Sequence, residues 1–102
     1  MSNSIEKNTW VFVLVQKTGN TETIVGQQDS ENDIFFIPAF HDRDSALQGI
    51  HSIAKTPGQT YEVQAIIYDD LTDYTKQIGC LIFFLDGSGR ILSKMSPDGK
   101  LL

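Results

Sequence analysis

Apolar residues in this chain fall in short runs divided by polar turns, and their spacing alternates between the two-residue period of strands and the 3.6-residue period of helices. Thr9-Trp-Val-Phe-Val-Leu-Val-Gln is apolar on both alternating faces, which suits a strand covered on both sides or near a sheet centre. Thr18-Gly-Asn-Thr supplies turn residues tolerant of positive φ, and Glu22-Thr-Ile-Val-Gly-Gln reads as a short antiparallel return. After the polar break Asp29-Ser-Glu-Asn-Asp, Ile34-Phe-Phe-Ile forms a third strand, expected to end at Pro38 because proline lacks the amide that continues a ladder.

The period then changes. Ala46, Leu47, Ile50, Ile53 and Ala54 share one face at helical spacing, with Asp42 or Asp44 placed to cap the helix and Thr56-Pro-Gly to close it. Gly49 lowers helix propensity and marks a place where another element approaches closely. Tyr61-Glu-Val-Gln-Ala-Ile-Ile-Tyr predicts a fourth strand. A second helix follows, capped by Asp69 or Asp70, with Leu71, Tyr74 and Ile78 on its apolar face and Gly79 in a left-handed cap. Cys80-Leu-Ile-Phe-Phe-Leu and Arg90-Ile-Leu-Ser-Lys are the last strands, joined by the turn Asp86-Gly-Ser-Gly, and the tail from Pro97 is expected to fray. The order β-β-β-α-β-α-β-β predicts an α+β fold: one mixed, mainly antiparallel sheet with two helices. Trp10, Phe12, Phe35, Phe36, Phe83 and Phe84 are expected in its core.

The length of 102 residues fits a single domain, 1–102, with an ordered part of about 9–95. A formal charge of −5 disfavours nucleic acid, since such a surface repels phosphate. Basic residues such as Lys17, Arg43, Lys55, Lys76, Arg90, Lys94 and Lys100 are scattered rather than gathered, so an anionic membrane is disfavoured too. The N-terminus shows no signal-peptide pattern, no apolar run approaches the roughly 20 residues of a membrane span, and the lone Cys80 cannot close an internal disulfide. A cytoplasmic location is the expectation.

Phe36-Ile-Pro-Ala-Phe-His-Asp-Arg-Asp-Ser-Ala before the first helix and Leu81-Ile-Phe-Phe-Leu-Asp-Gly near the end resemble the SseB N-terminal-like domains of bacteria. Pro38, Phe40 and the cap residues 42–45 stand at matching places, and the resemblance covers roughly 11–91. Where the family often has Asn-Pro followed by Gly, this chain has Leu85, Asp86 and Gly87. The resemblance implies an accessory or interaction domain and carries no catalytic residues across.

The remaining polar clusters have structural explanations. His41, Asp42, Asp44 and His51 lack specific metal spacing, and helix capping accounts for the acids. The acids from Asp29 to Asp33 begin like a calcium loop, but Ile34 and Phe40 stand where it needs Gly and Glu. Asp69, Asp70 and Asp73 suit a helix N-terminus without any reaction. Cys80 sits among apolar neighbours that favour an inert thiol. No catalytic residue, metal site or cofactor is assigned.

Both faces of the first and penultimate strands are apolar, whereas two short helices are expected to cover one face of the sheet. The surplus surface points to a non-enzymatic interaction or regulatory module binding a protein partner or a second copy, with Phe35, Ile37 and Phe40 nearest the contact. The alternative is a small ligand-binding or enzymatic domain using His41, Asp42 and the loop after the third strand, in a pocket at a homodimer interface.

Overall fold

The computed structural model of the chain describes residues 5–29, 31–53, 55 and 57–102. The strands are β1 (Trp10–Thr18), β2 (Thr21–Ile24), β3 (Gln27–Asp29), β4 (Ile34–Phe40), β5 (Thr60–Ile67), β6 (Leu81–Leu85) and β7 (Ile91–Met95). The helices are α1 (Arg43–Gly49) and α2 (Tyr68–Ile78). They form the expected α+β fold with one mixed, mostly antiparallel sheet, in the expected order. The predicted return strand is divided into β2 and β3. Ala54, expected on the apolar face of α1, Thr56 in its stop signal, Ser30 in the polar break and residues 1–4 lie outside the described residues.

β1 organises the sheet. One side pairs with β5 through eight successive residues, from Trp10 with Ile67 to Lys17 with Thr60. Its other side pairs first with β4, Phe12 with Phe40 and Val13 with Ala39, then with β2 from Val15 onward. β1 and β4 thus splay apart, and β2 and β3 fill the wedge: β2 lies along β1 and β3 along β4. The chain reverses between them at Val25 and Gly26, where the Val25 amide donates to the Leu14 carbonyl over 2.8 Å. A Cβ on Gly26 would lie within 3 Å of three Phe35 ring carbons, so only glycine lets that ring lie across the wedge.

The wedge explains why Pro38 does not end its strand. β4 continues to Phe40, pairing in parallel with β6 as Pro38 sits opposite Phe83. Its antiparallel partners are β3 up to Phe36 and β1 from Ala39. Pro38 falls between the two, where the ladder changes partner.

The largest departure concerns the helices, which lie on opposite faces of the sheet. Val11, Val13, Val15, Ile37, Ala39, Ile82, Phe84 and Met95 pack with Tyr68 and Leu71 of α2. Leu14, Phe40, Phe83 and Leu85 pack with Ala46 of α1. The parity of these positions is that of a strand, with alternate residues on alternate faces. The two-faced apolar pattern of β1 and β6 is therefore consumed inside the chain, and no whole sheet face is left over. Trp10, expected in the core, is 58% exposed.

Asp42 is the cap of α1: its carboxylate accepts the Ser45 amide at 2.7 Å and the Ser45 hydroxyl at 3.1 Å, and these bonds hold its pKa below the usual carboxylate value. Gly49, the last residue of α1, lies under the Phe40 ring. α2 begins without a side-chain cap. Asp69 and Asp70 lie within its first turn, and the Asp69 amide donates to the Lys7 carbonyl. Its buried face is Tyr68, Leu71, Thr72 and Thr75 rather than one reaching Ile78, which is exposed. Gly79 closes it at φ 73°, as expected.

The C-terminal tail is tied down rather than frayed. The buried Thr75 hydroxyl donates to the Pro97 carbonyl at 2.6 Å and Tyr68 Oη donates to the Gly99 carbonyl at 2.9 Å. Leu101 bridges to Met95, and the Leu102 amide donates to the Lys94 carbonyl.

The turn between β6 and β7 is built on Asp86, whose carboxylate accepts from the Ser88 hydroxyl, the Ser88 and Arg90 amides and Arg90 Nε, at 2.8–3.1 Å. These bonds, the Ser88 hydroxyl foremost, depress its pKa from 3.8 to about 2. Because the folded value is the lower one, the turn's contribution to stability is complete above pH 3.8 and disappears as pH falls through about 2. A carboxyl titration followed by NMR is expected to find the Asp86 midpoint near 2. A midpoint at the ordinary aspartate value would refute this turn geometry.

Candidate functional site

The five residues expected at a binding surface are not gathered in one place. Phe35 is half-exposed across the Gly26 wedge. Ile37 and Phe40 are buried in opposite cores, Ile37 toward α2 and Phe40 toward α1. They hold the sheet to its helices, and the one junction among the expected residues is a hollow of about 320 Å³ that Ile37 and Phe35 line with Tyr61 and Tyr74. His41 and Asp42 also part company. The imidazole lies flat on the buried Phe84 ring, centroids 4.4 Å apart and planes within 13°, on the α2 face. Asp42 turns to cap α1 on the other face. Among the described residues, the hollow that His41 lines does not include Asp42.

Two of the hollows that indent the surface among the described residues bear on the site. One, of about 350 Å³, lies on the α1 face, where Phe36 and Phe83, stacked at 4.3 Å, meet Ile53, Leu85 and Ile91. Its polar rim is committed to its own turn: Asp29 accepts from the Glu31 amide and Asn32, and Gln28 donates to Asp33. Those bonds, Asn32 first, hold Asp29 below the usual carboxylate pKa. The second, of about 660 Å³, is a shallow trough between His41, β7 and the tail. No cluster of His, Cys, Asp or Glu fit to hold a metal occurs among the described residues. Cys80 is buried, which raises its thiol pKa away from the reactive thiolate range. No helix among the described residues is long and apolar enough to cross a membrane.

The more distinctive feature is the contrast between the two sheet edges. A strand at an edge presents unpaired amides and carbonyls, and proteins blunt such edges with bulges, lysines, proline or a covering segment. β7 has three of these devices. Its pairing with β6 shifts register between Phe84 and Leu85, Lys94 stands within it, and the tail returns to pair with Met95 and Lys94. β5 has none. It is eight residues long, unbulged against β1, and free of proline, glycine and lysine. Among the described residues no strand pairs with its outer side. Its one charge, Glu62, is satisfied within the chain: it accepts from Gln64 at 3.2 Å and pairs with Lys17 at 3.1 Å. The Gln64 and Lys17 contacts lower its pKa and those with Glu62 raise that of Lys17, so the pair stays ionised and mutually neutralised.

The β5 edge also carries exposed apolar surface. Cross-strand partners share a face, so Trp10, opposite Ile67, and Phe12, opposite Ala65, extend the α1 face to the edge. Arg43 lies over the Phe12 ring at 5.5 Å, closing that position, while Trp10 remains open beside it. The residues that sequence reasoning missed are Trp10, Tyr61, Ala65 and Ile67. Their signal was the strand alternation of residues 61–67 without any edge-protecting residue.

The described residues form an α+β fold with α1 and α2 on opposite faces of a mixed sheet, a guarded edge at β7 and an unpaired outer side at β5. Comparison with protein families, with curated proteins and with solved structures returns no significant match to this chain.

Proposed function

We propose that this chain is a non-enzymatic interaction module that receives an extended protein segment along the outer edge of β5. The observation that supports the reading is the contrast with β7: the strand with the longest regular ladder has, among the described residues, no bulge, lysine, proline or covering segment on its outer side. In strand addition, main-chain hydrogen bonds supply much of the affinity and alternate side chains the specificity. Here the side-chain contribution would come from Trp10, Ala65 and Ile67 on one face. A kinship with SseB N-terminal-like domains, to which Pro38, Phe40 and residues 42–45 point, is consistent with such an accessory role.

The test is an NMR titration of the labelled chain with an extended peptide of alternating valine and threonine. Amide shifts are expected at 60–67 and at Trp10, and Ala65→Lys, at an exposed position, is expected to weaken binding about tenfold by blunting the edge. Shifts confined to β7 or to either hollow would refute the proposal.

A further inference from the structure

We infer that the segment received by β5 is β5 of a second copy, paired antiparallel about a two-fold axis perpendicular to the sheet and passing through Gln64. The inference rests on the open-edge reading above and names its occupant.

Self-complementarity is the first argument. A two-fold axis places the same patch on both subunits, and an edge strand pairing antiparallel with its own copy meets that condition without any new surface. The faces then restrict the register. Tyr61 and Val63 pack toward α1, and Ala65, opposite Phe12, shares that face. Ile66, opposite Val11, packs toward α2. An axis perpendicular to the sheet maps each face onto itself, so odd residues must oppose odd residues and even oppose even. A register pairing all eight residues would set Thr60 against Ile67 and break that rule. The axis must therefore pass through a residue.

Two centrings pair seven residues each. One, on Val63, would include Thr60 and leave Ile67 without a partner. The other, on Gln64, omits the exposed Thr60 and sets Tyr61 against the partner's Ile67, Glu62 against the partner's Ile66 and Val63 against the partner's Ala65. Ile67 then has Trp10 on one side and the partner's Tyr61 on the other, covering the tryptophan that the single chain leaves open. The two Glu62 carboxylates stand four positions apart along the seam, about 13 Å. That separation exceeds the screening length of roughly 8 Å at physiological salt. Each also keeps its own Lys17.

Each copy carries a net charge of −5, so association opposes a long-range repulsion that salt screens. Dimerisation is expected to tighten several-fold between about 0.05 M and about 0.5 M salt.

The test combines solution mass with cross-linking on the full chain. Light scattering over rising concentration is expected to show the mass doubling from 11.4 kDa. Under mild oxidation Gln64→Cys is expected to form a covalent dimer, since residues on the axis face each other at disulfide distance, while Thr60→Cys is not. Ala65→Lys is expected to shift the dimer midpoint to at least tenfold higher concentration. Equal cross-linking of Thr60→Cys and Gln64→Cys would overturn the register. A chain that stays monomeric while an added extended peptide still perturbs 60–67 would overturn the second copy as occupant and leave the open-edge reading standing. A dimer with no change at 60–67 would overturn the self-pairing, and would overturn the open-edge reading as well if the added peptide also left 60–67 unperturbed.

Discussion

Phe84→Ala is expected to lower the unfolding free energy by about 4 kcal/mol, within the range for deleting a buried phenylalanine. Phe84 is fully buried in β6, opposite Ala39 on β4 and Ser93 on β7. The His41 ring covers it and Tyr68 meets it at 6.0 Å, so β4, β6 and α2 converge on this one ring. Its removal leaves a cavity that β-sheet backbone cannot close, because strand spacing is fixed by the hydrogen bonds. Urea unfolding is the appropriate measurement, with a lower midpoint at unchanged slope. A loss below about 1 kcal/mol would mean that the α2 face is not packed as described. The loss expected is a large part of the 5–15 kcal/mol typical of a whole domain.

Gly49→Ala is expected to destabilise the protein by about 1–2 kcal/mol, against the direction that helix propensity dictates. Alanine in a helix gains about 1 kcal/mol over glycine when nothing touches it. At Gly49, however, the new Cβ would stand 2.4 Å from Phe40 Cε2 and 2.5 Å from Cζ. Phe40 is fully buried between α1 and the sheet, so its ring has little room to withdraw. The overpacking outweighs the propensity gain. The double variant Phe40→Leu, Gly49→Ala is expected to cost less than the sum of the single changes, since the smaller side chain removes the clash. Strict additivity, or a Gly49→Ala variant more stable than the parent, would contradict the close approach of α1 to β4.

Much of this packing was legible in the sequence. The strand runs of β1, β5 and β6, a cap at Asp42 (one of the two acids expected there), the left-handed Gly79, the buried Cys80 and the close approach at Gly49 all follow from local residue chemistry. What was not legible depends on neighbours distant in sequence. Pro38 reads as a strand end, yet it falls at the gap between two partners of β4, which no local pattern announces. The apolar faces of β1 and β6 read as surplus surface until the helices are known to lie on opposite sides. Ile37 and Phe40 belong to those two cores, and their apolar character could not distinguish burial from contact. Trp10 reads as core by alternation, but it lies at the end of β1 beside an edge strand.

The candidate site was missed for the same reason. Residues 61–67 carry a clear strand pattern, but whether that strand is central or at an edge is set by the order of strands, a property of the whole chain. Once that order is known, the absence of lysine, proline or a bulge in β5 acquires meaning, because β7 shows how this same sheet protects its other edge.

Residue-resolved amide hydrogen exchange across β5 tests the open edge most directly. In a separate chain only the amides directed at β1 are bonded, so protection over 60–67 is expected to alternate at low concentration. The account predicts that the outward amides become protected as concentration rises, in step with the increase in mass, and that Ala65→Lys abolishes the change. Outward amides that exchange slowly and equally at every dilution would mean that β5 is already covered within the single chain, and would contradict the account.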